Sequence, residues 1–302
     1  MKQKIDVIEV GPRDGFQSVK CAQITTEQKL QVIDDLVSAG VKHMEYTSFV
    51  SPKAIPQLAD AKAVTEVVLK KYPDLDLFAL VPNLRGAQNA YELGLRKVCY
   101  VVSLSVSHNK ANINRTHEQS LEAYKEIRAA YPDLDVIVDL ATTFGCPFEG
   151  KYEDPAAVVK FLKDYMDAGM TTCCLCDTIG IADPAQVKAV ISAVKEAYPS
   201  LELMVHFHDT RGLGMVNTMA AIESGITKVQ SALGGLGGCP FAPGASGNLS
   251  TEDMVWMLNE MGYDTGISFS KLLAAAKAQV NVISGNYSGH HINVEAETPC
   301  KA

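Results

Sequence analysis

Two histidines separated by one residue are the first feature of this sequence that could do chemistry. They lie in residues 205–210, VHFHDT, whose apolar start is typical of a β-strand. Because successive side chains of a strand point to opposite faces, His206 and His208 share one face, about 7 Å apart, while Phe207 faces the other way. Two imidazoles held in this way form half of a metal site. The alternative is a pair of histidines that only pack or hydrogen-bond within the core.

A charged pair and a glycine-rich segment are also chemically capable. Residues 9–17, EVGPRDGFQ, place Arg13 beside Asp14 between two glycines. Residues 234–248, GGLGGCPFAPGASGN, carry Cys239 directly after four glycines. Glycines would allow this segment to fold over a site and bring the thiol to it. An ordinary surface loop or a phosphate-binding nest would have a similar composition.

Eight short β-branched runs, each followed by apolar residues at helical spacing, must position these groups. The predicted strands are residues 5–10, 42–47, 75–80, 97–102, 134–141, 171–177, 201–209 and 228–233. No Gly-x-Gly-x-x-Gly follows the first strand, and no P-loop motif occurs, which argues against an open doubly wound sheet. Eight βα units without a linker predict an α/β fold, the closed (β/α)8 TIM barrel.

Two further helical segments follow the eighth strand, at residues 251–261 and 268–283. We predict that the first closes the barrel and that the second is an extra helix. The tail from Ser284 is polar and is expected to be loosely held. The predicted organisation is a catalytic barrel domain at 1–267 and a helical extension with a polar tail at 268–302.

The reactive groups of such barrels collect where the strands end. The Arg13–Asp14 pair follows the first strand, the histidines end the seventh, and Cys239 follows the eighth. This convergence favours a metal site over packed histidines. Two imidazoles with a carboxylate or amide suit Mg²⁺, Mn²⁺, Co²⁺ or Zn²⁺, and an oxygen ligand from Asp14 would favour a harder octahedral ion.

Composition and charge exclude several classes of function. The chain has 302 residues, of which 47% are hydrophobic, and a net charge of -8 without a block of Lys or Arg. This balance argues against a nucleic-acid or anionic-membrane surface. No apolar run approaches the roughly 18 residues that cross a bilayer. The N-terminus enters a predicted strand at once, without a secretory signal, so a cytoplasmic location is predicted.

Eight cysteines do not predict a disulfide framework here, because such frameworks belong to small secreted chains with poor cores. Cys173, Cys174 and Cys176 formally contain a Cys-x-x-Cys, but no second pair at zinc-finger spacing accompanies it. We predict that they are buried apolar cysteines. A structural zinc site or a redox role is the alternative.

Six segments together resemble the 3-hydroxy-3-methylglutaryl-CoA (HMG-CoA) lyase family of metal-dependent TIM-barrel enzymes. They are residues 9–17, 47–53, 145–150, 177–180, 206–210 and 234–253. The glycine–cysteine loop and the His-x-His-Asp-Thr segment are specific to the lyase branch. The resemblance implies retro-Claisen cleavage of a 3-hydroxyacyl-CoA to acetyl-CoA and a keto acid, with CoA as part of the substrate, in a homodimer.

The resemblance also implies roles for individual residues. The metal ligands would be Asp14, His206, His208 and Asn248. Arg13 would stabilise the enolate oxygen, Cys239 would transfer a proton, and Glu45 and Asp177 would be supporting or acid/base carboxylates. Lys20, Lys53 and Asn83 match lyase positions near strand ends where CoA would bind, and a solvated side chain is the simpler explanation of each. Cys300 lies where animal lyases carry a redox-sensitive thiol.

The acyl pocket departs from the family pattern. Ile137 and Asp139 stand where an arginine and a tyrosine are expected, Cys174 replaces a serine, and Arg211 replaces a tyrosine. Substrate contacts are therefore predicted for Gln17, Arg211 and Asp139. The reaction type is better supported than the acyl group. HMG-CoA is the first expectation, and citramalyl-CoA, which would yield acetyl-CoA and pyruvate, is the alternative.

Three other functions are less well supported by the residues. Claisen-condensing synthases typically read His-x-His-Asn-Asp and lack the Gly-Gly-Cys-Pro loop. A non-catalytic CoA-ester-binding barrel would have lost one of the reactive residues, and none is lost. A zinc class II aldolase would need a further histidine ligand and a phosphate loop.

Overall fold

The fold is a closed barrel of eight parallel strands. The computed structural model describes residues 2–19, 24–238 and 247–294. The barrel strands, β1 to β8, are Asp6–Glu9, His43–Ser48, Asp76–Leu80, Lys97–Ser103, Asp135–Ala141, Thr172–Asp177, Glu202–Phe207 and Lys228–Ser231. Each strand pairs with its neighbour in chain order, and β8 pairs with β1 to close the barrel. The predicted TIM barrel is confirmed.

Ten α-helices lie within the described ranges. They are α1 to α10, at Thr26–Ala39, Ala61–Lys71, Leu84–Glu92, Val106–Ile113, His117–Ala130, Ala156–Asp167, Pro184–Ala197, Gly214–Glu223, Thr251–Glu260 and Phe269–Val282. Helix α1 begins with a capping box between Thr25 and Gln28, and Asp183 caps α7 ahead of Pro184. Across the described part of the chain, no helix has the length and apolar content needed to span a membrane.

Two apolar clusters form the core. The larger one lies between the strands and the surrounding helices. The smaller one fills the barrel interior, called the lumen below, with Ile8, Val10, Phe78, Cys99, Ile137, Cys174, Met204 and Ala232. Because side chains alternate along β6, Cys173 joins the outer cluster and Cys174 the lumen. Both thiols are buried, as predicted.

The sequence did not predict several short local elements, two of which follow barrel strands. A single turn of π-helix, Gly11–Gly15, directly follows β1, and its first turn closes with hydrogen bonds to the carbonyl of Val10. A two-residue antiparallel pairing joins Gly145–Cys146 to Gly150–Lys151 after β5. Turns of π-helix are frequent at functional sites. This one turns the Arg13–Asp14 pair away from the strand.

The C-terminal segment differs from the expectation of a loosely held tail, which is wrong for residues 284–294. The Tyr287 hydroxyl donates to the carbonyl of Ile283 (2.7 Å), and Ser288 Oγ donates to the carbonyl of Asn248 (3.0 Å). The backbone amide of His290 donates to Asp253 (2.6 Å). Polar groups of this segment therefore bind the end of α10, the start of α9 and Asn248, while Ser284 and His290 stay exposed to solvent. Residues 295–302, with Cys300, lie outside the described residues, and a domain boundary at residue 267 stays a prediction.

Candidate active site

Asp14, His206 and His208 converge at the C-terminal end of the barrel. A carboxylate oxygen of Asp14 and one ring nitrogen of each histidine all lie within 4.8 Å of one another. The two imidazole centroids are 5.1 Å apart. His208 forms a β-bridge with Asn248, and the Asn248 side-chain amide donates to Asp14 Oδ2 (2.7 Å). The structure therefore brings all four predicted metal ligands together.

Unpartnered buried atoms show that this cluster fits a divalent cation. Asn248 uses its amide nitrogen on Asp14 and on the carbonyl of Leu236, while its Oδ1 is buried with no hydrogen-bond partner in the described structure. His208 Nδ1 is buried and unpartnered in the same way. Leaving such atoms unsatisfied costs about 1–3 kcal/mol each. A cation bound among the four side chains would remove that cost.

Gln230 orients His206, the first of the two histidines, and this role was not predicted from the sequence. His206 Nδ1 lies 3.0 Å from Gln230 Oε1, which can only accept, so Nδ1 carries the proton and Nε2 keeps its lone pair. Burial, and then the neighbouring His208, lower the pKa of His206 to about 3. Burial also lowers the pKa of His208. Both rings are therefore neutral at pH 7, as metal ligation requires. Gln230 is the register partner of His206 between β7 and β8, a pairing that the sequence alone does not show.

Arg13 is buried between two carboxylates. Its two terminal nitrogens donate to Asp14 Oδ1 and to Glu45 Oε2, both at 2.6 Å. Its Nε is buried without a partner in the described residues. Burial would raise the pKa of Asp14, but the Arg13 charge and then the two histidines outweigh it and bring that pKa to about 2. Asp14 is therefore a carboxylate at neutral pH.

Glu45 and Gln17 are held within this network. Cys99 Sγ donates to Glu45 Oε1 (2.9 Å), so both Glu45 oxygens already have donors. Gln17 donates its side-chain amide to Asp14 Oδ1 (2.5 Å). Gln17, predicted to contact substrate, thus contacts Asp14, a predicted metal ligand.

Glu9 supports the site from behind, and it too was missed. Its Oε1 accepts from the amides of Gly11 (2.7 Å) and Leu233 (2.8 Å), and its Oε2 accepts from the Thr251 hydroxyl (2.7 Å). A Cβ at Gly11 would lie 2.6 Å from Glu9 Oε1, so only glycine fits there. These bonds tie the π-turn that carries Arg13 to the end of β8 and the start of α9.

Asp139, Cys174 and Cys176 lie together in the lumen. One ligand atom of each lies within 4.8 Å of the others. Asp139 is 4% exposed, and its Oδ1 has no hydrogen-bond partner in the described part of the chain. Burial, and then the charge of Glu45, raise the pKa of Asp139 to about 7. Ligand atoms of Asp139, Glu45 and Cys99 also lie within 4.8 Å of one another, so Asp139 lies beside Glu45 in the barrel interior.

Asp177 was expected to support the metal site and Arg211 to contact substrate, but the structure shows both bonded to nearby backbone. Asp177 accepts hydrogen bonds from the amides of Ile181 (2.9 Å) and Ala182 (3.1 Å). Arg211 donates to the carbonyls of Ile179 and Gly180, at 2.8 and 2.9 Å. Asp177 lies three residues after Cys174, so alternation turns it away from the lumen. In the described structure both side chains hold the loop after β6, and neither belongs to the group around Asp14.

The predicted CoA contacts stay predictions. Asn83 Oδ1 accepts from the amide of Gly86 (3.0 Å) and caps α3, and Lys53 is exposed. Lys20 and Cys239 lie outside the described residues. The described start of the glycine–cysteine segment lies beside Asn248, since a Cβ on Gly237 would be 2.8 Å from Asn248 Nδ2.

Fold and site together define a TIM-barrel protein with a carboxylate–histidine–amide site for a divalent cation at the strand ends. Residues 4–278 match the family model described as HMGL-like. The chain belongs to this HMGL-like family.

Relatives and solved structures agree with this assignment. The chain is 42% identical over 277 residues to hydroxymethylglutaryl-CoA lyase YngG of Bacillus subtilis, covering 91% of this chain and 92% of that protein. It is 39% identical to the human mitochondrial hydroxymethylglutaryl-CoA lyase, with 91% and 84% covered. An HMG-CoA lyase from Acinetobacter baumannii, solved with coenzyme A and 3-methylmalate, superposes with a TM-score of 0.90 at 38% identity, covering 98% of this chain and 96% of that one.

Proposed function

We propose that the protein is a carbon–carbon lyase that cleaves HMG-CoA to acetyl-CoA and acetoacetate in a divalent-metal-dependent retro-Claisen reaction. The observation that carries the proposal is the convergence of Asp14, His206, His208 and Asn248 beside a buried arginine. The relatives named as HMG-CoA lyases support the same reaction.

The metal-binding residues would act on the substrate hydroxyl. Asp14, His206, His208 and Asn248 would hold the cation, with Mg²⁺ or Mn²⁺ favoured by the oxygen ligands and Co²⁺ or Zn²⁺ as alternatives. Bound there, it would supply Lewis-acid chemistry that acidifies the hydroxyl on the carbon whose bond breaks. The anionic Asp14 and the two neutral imidazoles need no proton removed before they bind it.

Arg13 would stabilise the departing acetyl-CoA enolate. When the Cα–Cβ bond breaks, negative charge develops on the thioester oxygen, and a preorganised cationic donor is most effective there. Asp14 and Glu45 fix both terminal nitrogens of the guanidinium, and Nε is left as a free donor in the described structure. Because both oxygens of Glu45 already have donors, we assign Glu45 to positioning Arg13.

Cys239 is the proposed proton donor to the enolate carbon. It directly follows Gly238, and the backbone two residues earlier lies against Asn248. A thiol delivered by a glycine-rich loop could reach this carbon after cleavage. Asp177 would act indirectly, through the loop that it holds after β6.

A shorter hydroxyacyl-CoA is the second candidate substrate. Ile137, Asp139 and Cys174 give the lumen a different lining from the arginine, tyrosine and serine of the family pattern. The related Acinetobacter enzyme was solved with 3-methylmalate, a short hydroxy diacid. Citramalyl-CoA is the substrate of this size that we propose to compare with HMG-CoA.

The proposal also covers the setting of the enzyme. We propose that it is a cytoplasmic homodimer that acts in leucine degradation, with a free acyl-CoA as its substrate.

A panel of 3-hydroxyacyl-CoA esters tests the function. The full-length protein is assayed with Mg²⁺ or Mn²⁺ for acetyl-CoA release from HMG-CoA, citramalyl-CoA and a 3-hydroxyacyl-CoA without a distal carboxylate. We expect the highest kcat/KM for HMG-CoA. Cleavage of citramalyl-CoA alone would replace the substrate but keep the reaction, and no release from any ester would reject the proposal.

Two variants separate the metal from the thiol. His208→Ala should lower bound metal and activity together, and full metal occupancy in it would remove His208 from the ligand set. Cys239→Ser should reduce kcat by at least about a hundredfold while metal content stays normal. Unchanged turnover in Cys239→Ser would exclude the thiol from the mechanism.

A further inference from the structure

Beneath the proposed catalytic site, the lumen contains a second group of potential ligands, to which we assigned no proton transfer or charge stabilisation in the bond cleavage. Cys174 and Cys176 come from β6, and Asp139 comes from the adjacent β5, where it is the register partner of Cys174. Cys174 and Asp139 are buried, and Cys176 is partly accessible. Cys173 of the same run faces the outer core and is not part of the group.

The two thiols are spaced for one tetrahedral ion. Cys174 Sγ and Cys176 Sγ are 3.7 Å apart. Zn–S bonds of about 2.3 Å at tetrahedral angles place two sulfurs about 3.8 Å apart. The strand holds this spacing, because side chains two residues apart point to the same face.

Asp139 supplies the independent observation that a ligand belongs here. It is 4% exposed, and its Oδ1 has no hydrogen-bond partner in the described residues. A buried carboxylate oxygen without a donor is costly, and a cation would satisfy it. One carboxylate oxygen lies within 4.8 Å of both sulfurs. The nearby Cys99 is not counted among these ligands, because its thiol donates a hydrogen bond to Glu45.

We propose that Asp139, Cys174 and Cys176 form a second metal site that binds a thiophilic divalent cation of the Zn²⁺ class. Three protein ligands leave a fourth position for water, on the side where Cys176 is accessible. The cation would replace the two thiol protons, which leave to solvent, and no electron transfer is involved. It would join β5 to β6 at the base of the acyl pocket.

Titration of the metal-free, full-length protein with Co²⁺ tests this proposal without relying on activity. We expect two equivalents bound per chain, together with a near-ultraviolet sulfur-to-cobalt charge-transfer band. His208→Ala should lose one equivalent and keep the band. This titration therefore tests the proposed lyase site and the proposed thiol site separately.

Cysteine variants identify the thiols that produce the charge-transfer band. Cys174→Ser/Cys176→Ser should lose the band and one equivalent, whereas the matched control Cys173→Ser, from the same run, should keep both. Cys239→Ser should also keep the band, because that thiol is proposed to act in the lyase reaction and is not one of the proposed ligands. If the double variant does not fold, Asp139→Asn provides the test, because the two side chains are nearly isosteric. This variant should bind the Co²⁺ equivalent that produces the band about tenfold or more weakly.

Two results would overturn the second site. The first is the absence of a sulfur-to-cobalt band in the wild-type protein at saturating Co²⁺. The second is a band that persists in a folded Cys174→Ser/Cys176→Ser variant, since its sulfur would then come from another cysteine.

Discussion

At the scale of single residues, Gln230 shows how one uncharged side chain can control the proposed metal ligand His206. Its Oε1 accepts from His206 Nδ1 at 3.0 Å and so selects the tautomer whose Nε2 can bind a cation. Removing such a partner typically lowers metal affinity 10–100-fold. Gln230→Leu should therefore weaken Mn²⁺ binding by about this factor with little effect on folding, as measured by calorimetric titration.

Gln230→Glu is the matched control for that loss. It keeps an acceptor oxygen for Nδ1 and adds negative charge, so Mn²⁺ affinity should stay within a few fold of wild type. Equal affinity in the Leu variant and the wild type would show that Gln230 does not orient the ring.

Glu9 leads to a prediction about pH and stability. Burial raises the pKa of Glu9 to about 7 in the folded protein, above the ordinary value of 4.5, and the donors at Thr251, Leu233 and Gly11 limit that rise. The folded state then holds a proton that the unfolded state releases. Glu9 therefore favours folding most below pH 4.5, and its contribution falls as pH rises to about 7, by at most about 1.4 kcal/mol per pH unit.

Glu9→Gln removes this titration but keeps an oxygen for the two backbone amides. We expect the urea-unfolding free energy of the wild type, relative to Glu9→Gln, to decline between pH 4.5 and pH 7. Glu260→Gln, at an exposed residue, should leave the pH profile unchanged. Parallel profiles for wild type and Glu9→Gln would mean that Glu9 is ionised across the whole range.

At the scale of elements, the segment after α10 acts as a strap over the end of β8. Asp253 on α9 holds this strap: its oxygens accept from the amide and the ring of His290 (2.6 and 3.0 Å) and of His291 (3.0 and 2.5 Å). The strap in turn places Ser288 Oγ 3.0 Å from the carbonyl of Asn248. Asp253 therefore supports Asn248, a proposed metal ligand, through the C-terminal segment.

Asp253→Asn should release the strap, because an amide offers one acceptor oxygen where two backbone amides donate. Each buried donor left unpaired costs about 1–3 kcal/mol. We expect faster hydrogen exchange at Gly289 and Gly235 and weaker Mn²⁺ binding, with the barrel strands still protected. Glu260→Gln, on the same helix, is the control, and unchanged exchange at Gly289 in Asp253→Asn would contradict the role of the strap.

The strap also shows what the sequence could and could not predict. The barrel strands and the capped helices were predictable because their signals are local, such as apolar runs and the capping box at Thr25. The roles of Glu9, Gln230 and Asp253 depend on partners that are distant in sequence, as with the bond from Thr251 to Glu9. No local pattern contains such a contact. The convergence of the four proposed metal-binding residues was predictable because strand ends and a family resemblance pointed to the same residues.

At the scale of the whole molecule, the proposed metal site spans the seam where the barrel closes. Asp14 follows β1 and Asn248 follows β8, and these two strands form the closing pair. The bond between the two side chains links residues 234 positions apart in sequence. A cation bound by both would join the beginning and the end of the barrel, and it would bind only the folded state.

Metal binding should therefore stabilise the whole barrel by mass action. At a free Mn²⁺ concentration of 100 times Kd, the gain is about 2.7 kcal/mol, or about 4 °C in Tm for a chain of this length. We expect this shift in thermal unfolding of chelator-treated wild-type protein, rising with the logarithm of Mn²⁺ concentration. In His208→Ala the curve should move to much higher Mn²⁺ concentrations, because a ligand at the seam is gone. If His208→Ala showed the full Tm shift at the same Mn²⁺ concentrations, the stabilising ion would bind elsewhere. Stabilisation of the barrel would then not depend on the proposed lyase site.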